Sequence, residues 1–199
     1  CIVTPGFVDV HTHYDGQVTW DEELAPSTPH GVTTVVAGNC GVGFAPVKRG
    51  QEAWLIELME GVEDIPGAAL AEGITWGWES FPDYIATLAE RRWAIDVAVQ
   101  LPHGPLRTYV MGDRGATNEK ATAEDIAAMS RLARDAMVAG ALGFTTSRTL
   151  GHTSLAGVPV PGTFAADDEL FAIARAVRQG GGRIFEVAGA GIVPEDDPD

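Results

Sequence analysis

Apolar runs bounded by glycine or proline alternate along the chain with stretches whose apolar residues recur every three or four positions. Five of the runs are rich in Val, Ile, Phe or Thr and are too continuously apolar for half-exposed strands, so they predict buried parallel strands. The alternation of such strands with helices is typical of βα units. The pattern therefore predicts an α/β fold with a parallel sheet. The five predicted strands cover residues 6–13, 33–40, 93–104, 141–147 and 183–189.

Helix signals lie between these runs. Thr122 and Asp125 form a capping-box pattern ahead of apolar positions at helical spacing, and Gly140 ends that stretch. Ser80 and Asp83 form the same pattern and predict the start of another helix. Two further helices are predicted over residues 51–60 and 170–177.

Five consecutive βα units favour a partial (β/α)8 barrel of the TIM type over an open doubly wound sheet. The glycine-rich GNCGVG lies at the second strand and lacks the helix that follows a phosphate-binding fingerprint. A closed barrel has eight strands and typically about 250 residues, whereas this chain has 199. The chain also begins at Cys1 and ends in the acidic PEDDPD. We therefore expect residues 1–199 to be the N-terminal part of a barrel domain in a longer chain.

Composition narrows the range of partners and compartments. Thirteen basic against 28 acidic residues give a formal net charge of -15, which repels phosphate backbones and anionic lipid, so we expect neither a nucleic-acid nor a membrane partner. The sequence shows no apolar stretch of membrane-spanning length and no signal-peptide pattern. Cys1 and Cys40 are too few for a disulfide framework, which favours a reducing, cytoplasmic location.

Two histidines stand at the end of the first apolar run, in GFVDVHTHYD. Alternate side chains of a strand share a face, so Asp9, His11 and His13 are expected on one face at intervals of about 6.5–7 Å. In a barrel this position is the C-terminal rim, where the chemistry of such enzymes lies. The pair predicts a divalent metal site, with Asp9 orienting a ligand. The alternative is two ordinary polar residues at a strand end.

Cys40 closes the second predicted strand, which places its sulfur at the same rim as the histidines. A thiolate is a good zinc ligand. A free cysteine is also commonly a small buried apolar residue. Its position alone leaves these two interpretations open.

Several stretches together resemble the amidohydrolase superfamily and, within it, the N-acyl-D-amino-acid deacylase (D-aminoacylase) group. The resemblance implies a barrel hydrolase that cleaves the acyl amide bond of an N-acyl-D-amino acid with metal-activated water. We expect a divalent metal, with zinc favoured by a cysteine ligand. By position, His11 and His13 match the family's first-strand ligands, and Cys40 matches its cysteine ligand. The stretches are PGFVDVHTHYDGQ, HGVTTVVAGNCGVGFAPV, VEDIP with WGWESFPDYIATL, HGPLRTYVMG and ALGFTTSRTLGH.

The chain departs from the family pattern beyond its fourth predicted strand. The family has further histidines after its fifth and sixth strands and a proton-transferring aspartate near the end of the barrel. This chain has no histidine after His152, and its fifth strand carries Glu186 in RIFEVAG where a histidine is expected. Glu186 could serve as an oxygen ligand or pair with an arginine. No catalytic aspartate is assigned.

Three further residues are candidates for contact with a small-molecule substrate. Arg148 follows the fourth predicted strand, where its guanidinium could bind the carboxylate of an acyl amino acid or form a salt bridge at the rim. His103 and His152 could donate hydrogen bonds to substrate, or they could be loop histidines without a chemical role.

Two other functions remain open. A cyclic amidase of the dihydroorotase or hydantoinase type shares the HTH motif, but such enzymes generally carry a carboxylated lysine at the fourth strand, and the only lysines here are Lys48 and Lys120. Alternatively, the chain is an inactive fragment or one part of a split enzyme. Its last strand would then have an open edge, which invites a homo-oligomer or the remaining part of the barrel.

Overall fold

A computed structural model describes residues 3–189, so Cys1 and the acidic PEDDPD lie outside the described residues. The predicted α/β class is confirmed, because strands and helices alternate and every strand pair is parallel. The strands are β1 Phe7–Asp9, β2 Val32–Ala37, β3 Asp96–Val99, β4 Leu101–Pro102, β5 Gly143–Ser147 and β6 Ile184–Ala188. The helices are α1 Glu52–Glu63, α2 Gly67–Gly73, α3 Phe81–Ala89, α4 His103–Met111, α5 Asp113–Ala116, α6 Ala123–Ala139 and α7 Asp167–Gln179, with short 3-10 helices at Gln17–Thr19 and Thr28–His30.

The strands form two parallel sheets of three, in the orders β1-β2-β3 and β4-β5-β6. The third predicted strand is divided at Gln100, which belongs to neither β3 nor β4. The backbone amide of Gln100 still donates to the carbonyl of Ala37 at 2.9 Å, so the chain stays beside β2 through the interruption. The sequence-based count of five βα units is therefore not confirmed, because one apolar run contributes a strand to each sheet.

The outer strands are more exposed than predicted. Phe7 in β1 is 63% exposed, and Val8 beside it is also exposed. In β6, Ile184, Phe185 and Val187 are exposed in the same way. The prediction of fully buried strands is wrong for these two elements, since each pairs with a neighbour on one side only among residues 3–189.

Local signals set most helix boundaries. Both capping boxes are present: Ser80 caps α3 with Asp83, and Thr122 caps α6 with Asp125. The segment from His103 was predicted to end a strand, but it begins α4 instead. Pro105 falls in the first turn of that helix, where a missing backbone N–H breaks no intrahelical hydrogen bond.

Helices α1, α6 and α7 bury their apolar faces in one core with the strands. Leu58 and Met59 of α1, Met129 of α6 and Ile173 of α7 are all buried in it, together with Phe144 of β5. Each such side chain contributes about 1.5–3 kcal/mol relative to an exposed position. Among residues 3–189, no helix combines the length and apolar character needed to cross a membrane.

Candidate metal centre

The structure brings His11, His13 and Cys40 together beyond the C-terminal ends of β1 and β2. The two imidazole rings have centroids 5.4 Å apart at an interplanar angle of 67°. Cys40 Sγ lies 3.2 Å from His11 Nε2. One ligand atom from each of the three residues lies within 4.8 Å of the other two. This separation allows all three side chains to reach one ion.

The histidines follow strand β1 rather than belonging to it, since β1 ends at Asp9. The segment nevertheless remains attached to β2, because the backbone amide of Thr12 donates to the carbonyl of Val36 at 3.0 Å. Asp9 was predicted to orient a ligand. Its Oδ1 accepts a 3.3 Å hydrogen bond from the backbone amide of His11, so it contacts that residue through the main chain.

Cys40 has an unusual backbone conformation. Its φ is +55°, in the left-handed region, between Gly38 at +88° and Gly41 at +74°. This conformation is unfavourable for any residue other than glycine. Residues with such backbone strain are found most often at functional sites. The backbone amide of Cys40 donates to Glu186 Oε1 at 3.3 Å, and that of Gly41 donates to Thr145 Oγ1 at 3.1 Å. These contacts restrain the main chain that carries the thiol.

A second group of possible ligands overlaps the first. Ligand atoms of Cys40, Glu63 and His152 also lie within 4.8 Å of one another. Glu63, the last residue of α1, has its Oε1 3.2 Å from His13 Nε2. His152 lies with its Nδ1 3.2 Å from Ser147 Oγ. The sequence predicted a substrate contact for His152 and did not single out Glu63, whose only signal is its place in the VEDIP stretch.

The electrostatics of this cluster oppose charge on its members. Burial, together with the nearby carboxylates of Glu63, Glu186 and Asp15, raises the pKa of the Cys40 thiol to about 12. Burial, with smaller contributions from His11 and His152, lowers the pKa of His13 to about 4. Neutral imidazole is the form that binds metal, and a nearby cation would favour the thiolate.

Unsatisfied polar atoms support the same interpretation. His13 Nδ1 and Asp15 Oδ2 are buried and have no hydrogen-bond partner among the described residues. Burial also raises the pKa of Asp15 to about 8. Buried polar atoms without a partner are rare in native proteins, and these two are available to a water or an ion. Nitrogen and sulfur donors at this separation suit zinc, so the residues present fit a divalent metal.

Glu186 lies beside the cluster but outside both ligand groups. Its Oε1 is 3.6 Å from His11 Nδ1 and accepts from the Cys40 amide, while its Oε2 accepts from Gln100 Nε2 at 2.9 Å. Both carboxylate oxygens are thus engaged with protein groups. A ligand role for Glu186 stays a prediction.

The other predicted substrate contacts have different surroundings. Arg148 is half-buried after β5, and its Nη1 donates to the carbonyl of Ala165 at 2.6 Å. His103 is 0% exposed. Its Nδ1 pairs with Thr146 Oγ1 and its Nε2 with Glu169 Oε1, both at 2.8 Å. A substrate contact for His103 has no support from this position, because both ring nitrogens face protein partners.

Neither lysine occupies the position that a cyclic amidase would require. Lys48 lies with its Nζ 5.4 Å from the ring centroid of Tyr109, and Lys120 is exposed in the loop before α6. The rim end of β5 instead carries the hydroxyl residues Thr145, Thr146 and Ser147.

Comparison with known proteins gives consistent results. Residues 1–197 match the amidohydrolase family. The chain is 37% identical to D-aminoacylase of Alcaligenes xylosoxydans xylosoxydans over 145 residues, which is 73% of this chain and 27% of that protein. It is 32% identical to N-acyl-D-aspartate deacylase of the same organism over 183 residues, covering 92% of this chain and 32% of that one. The chain thus spans about a third or less of these relatives.

A solved structure is similar over most of the described fold. It is N-acyl-D-glutamate deacylase from Bordetella bronchiseptica in complex with zinc and a phosphonate inhibitor that mimics the tetrahedral intermediate. The match has a TM-score of 0.69 and 34% sequence identity, and it covers 92% of this chain and 33% of that one. The resemblance seen in the sequence motifs is therefore confirmed.

Proposed function

Because this chain belongs to the amidohydrolase family, we propose that it is the metal-binding part of an enzyme that hydrolyses the acyl amide bond of N-acyl-D-amino acids. The observation that carries the proposal is the convergence of His11, His13 and Cys40 within 4.8 Å. The specificity for D-amino acids rests on the names of relatives, one acting on N-acyl-D-aspartate and another on N-acyl-D-glutamate.

We propose that these three side chains hold a divalent metal, with zinc favoured by their nitrogen and sulfur donors. When bound, such a metal polarises the substrate carbonyl and lowers the pKa of water. The role of the chain is to place the donors: the left-handed turn at Cys40 aims the thiol, and Glu63 contacts His13 at 3.2 Å. His11 is exposed, His13 is half-buried and Cys40 is buried, so burial strengthens the electrostatic interactions of Cys40 most.

The fold proposal is a partial (β/α)8 barrel, with residues 1–199 as its N-terminal part. Parallel strands with intervening helices support it, as does the coverage of only 27% to 33% of the relatives. Among the described residues, β1 and β6 each have an unpaired edge where a further strand could add, and both strands carry exposed apolar side chains. We propose the remaining part of the barrel as the partner that covers them and supplies the proton-transferring aspartate, with a homo-oligomer as the alternative.

We further propose that Arg148 binds the carboxylate of the small-molecule substrate. Its position immediately after β5 and its half-buried side chain support this role. A guanidinium suits a carboxylate because two parallel N–H groups can donate to it. The reducing, cytoplasmic location inferred from cysteine usage stays a prediction.

The experiment uses the intact protein with N-acetyl-D-amino acids, their L-enantiomers and a cyclic amide such as hydantoin. Selective hydrolysis of the D-substrates supports the proposal, whereas turnover of the cyclic amide alone would favour the cyclic amidase.

Metal content, measured by mass spectrometry, should fall in His11→Ala and Cys40→Ala. His30→Ala is the matched control, since His30 is exposed and precedes β2, at the end of that strand opposite to Cys40. Metal content unchanged in the first two variants would remove the assignment.

A further inference from the structure

A buried glutamine connects three parts of the candidate metal centre. Gln100 is 2% exposed and stands between β3 and β4. Its Nε2 donates to Asn39 Oδ1 and to Glu186 Oε2, both at 2.9 Å. Since both partners offer oxygen acceptors, the nitrogen of the Gln100 amide must face them.

Asn39 extends this network to the histidine segment. Its Nδ2 donates to the carbonyl of Thr12 at 2.9 Å and to that of Val36 at 2.8 Å. Because the amide nitrogen of Asn39 is committed to two carbonyls, its oxygen is the atom that Gln100 must meet. Thr12 is the residue between His11 and His13. Asn39 thus adds a restraint on the main chain between the two imidazoles, beside the hydrogen bonds that join Thr12 to Val36.

Glu186 extends the network to the thiol. One carboxylate oxygen receives the Gln100 side chain, and the other receives the backbone amide of Cys40 at 3.3 Å. Cys40 needs such a restraint because its φ of +55° is unfavourable for a residue with a side chain. One glutamine side chain therefore joins the segments that carry all three proposed ligands.

The surroundings of Gln100 are tightly packed. A Cβ at Gly143 would lie 2.5 Å from the carbonyl oxygen of Ile184 and 3.0 Å from Gln100 Oε1, so this glycine leaves room chiefly for β6 and also for Gln100. That Oε1 is itself buried without a hydrogen-bond partner among the described residues. An unsatisfied buried acceptor is costly, and an apolar side chain of the same length would avoid the cost. Packing alone therefore does not explain a glutamine at this position.

We infer that Gln100 is a positioning residue of the metal centre, which sets His11 and His13 through Asn39 and sets Cys40 through Glu186. The inference rests on the proposed function, since it presumes that these three residues bind metal. In this inference, Glu186 does not coordinate the metal. Its two carboxylate oxygens instead hold Cys40 and Gln100. Groups that orient metal ligands in this way typically affect metal affinity by about 10–100-fold.

The decisive variant is Gln100→Met in the intact protein, because methionine has a similar length and no N–H donor. Zinc affinity is measured by competition with a chromophoric chelator, and the absorption of the cobalt-substituted protein reports the thiolate-to-metal band. We expect affinity to fall by about 10–100-fold and the cobalt band to shift. In the metal-free protein, amide hydrogen exchange over residues 38–41 should become faster, because Cys40 loses its restraint through Glu186.

Thr108→Val is the matched control. Thr108 is buried in α4, where its hydroxyl donates to the carbonyls of Gly104 and Pro105, so the variant also removes a buried polar group. It lies outside the network, and we expect wild-type zinc affinity, cobalt spectrum and exchange over residues 38–41. Equal losses in Thr108→Val and Gln100→Met would show a general effect of core substitution and would overturn the inference.

Glu186→Gln provides an independent measurement. The carboxylate now accepts from the Cys40 backbone amide and from Gln100 Nε2, and a glutamine would direct its own N–H groups at one of these two donors. We expect about 10-fold weaker zinc binding and little further loss when it is combined with Gln100→Met, because both act through one network. If Gln100→Met does not fold, hydrogen exchange over residues 38–41 in metal-free Glu186→Gln decides, because faster exchange there does not depend on coordination by Glu186. Unchanged affinity and spectrum in these variants would overturn the inference, whereas retained metal in His11→Ala and Cys40→Ala would overturn the proposed function.

Discussion

Glu169 forms the centre of a buried ionic cluster, and the contribution of this cluster to the free energy of unfolding can be measured. Arg107 and Glu169 are each 1% exposed, and Arg107 Nη1 lies 3.2 Å from both carboxylate oxygens. His103 Nε2 lies 2.8 Å from Glu169 Oε1. The substitution Glu169→Gln keeps the size of the side chain, removes its charge and leaves the buried Arg107 guanidinium without a carboxylate in contact.

The expected cost follows from that uncompensated charge. Breaking a buried ion pair by removing one partner costs about 3–5 kcal/mol. Because the glutamine oxygen can still accept one hydrogen bond, we expect the lower end of this range, about 3 kcal/mol. At roughly 2–4 °C per kcal/mol for a domain of this size, Tm should fall by about 6–12 °C.

The assay is thermal unfolding of the intact protein followed by circular dichroism, with urea unfolding as a second measure. Asp167→Asn is the matched control, because it removes a carboxylate from the same helix at an exposed position. We expect that control to change the free energy of unfolding by less than about 1 kcal/mol, because Asp167 lies in the first turn of α7, where its charge interacts with the helix dipole. A loss below about 1 kcal/mol in Glu169→Gln would refute the reasoning, since it would mean that Arg107 finds solvent or another partner.

Three further predictions concern the helix cap and the site. The hydrogen bond from the Ser80 hydroxyl, followed by that from its backbone amide, lowers the pKa of Asp83 below its ordinary value of 3.8. The ionised Asp83 carboxylate therefore stabilises the protein fully at pH values above 3.8, and this stabilisation is lost as pH falls through the lowered pKa. The difference in Tm between wild type and Asp83→Asn should accordingly decrease towards zero on acidification. Arg148→Met should raise KM for N-acyl-D-amino acids by about 10–100-fold, from a lost charge-assisted hydrogen bond, with metal content unchanged. His152→Ala and Glu63→Gln should each weaken zinc binding by about 10-fold or more, as measured by chelator competition.

Each of these predictions has an outcome that would contradict it. A Tm difference for Asp83→Asn that is independent of pH would show that the capping box does not depend on the carboxylate charge. Equal effects of Arg148→Met on KM and on metal content would indicate a structural role. Wild-type zinc affinity in His152→Ala would mean that the second ligand group takes no part in metal binding.

Local chemistry made much of the fold predictable. The capping boxes at Ser80 and Thr122 are set by residues three positions apart, so the sequence contains the whole signal. The end of β1 was harder, because whether a strand continues through His11 depends on its pairing with β2. The pair of histidines still meets Cys40, since Thr12 keeps the segment beside Val36.

Long-range contacts explain what the sequence did not predict. Asp64 in the left-handed conformation and Pro66 mark the end of α1 locally, but nothing local shows that this end lies beside His13, where Glu63 reaches the site. The buried pairing of Arg107 with Glu169 joins residues 62 positions apart. The interruption at Gln100 depends on contacts with Asn39 and with another strand, so an apolar run alone predicts one continuous strand.

The left-handed turn at Cys40 has a consequence for laboratory evolution of this protein. Glycine or asparagine would occupy a φ of +55° more comfortably than cysteine does. A library of variants selected only for thermal stability or expression should therefore be enriched in glycine or asparagine at position 40. These variants would lack the Cys40 thiol. Stability and metal binding thus favour different residues at position 40, so a screen for more stable variants must also measure activity.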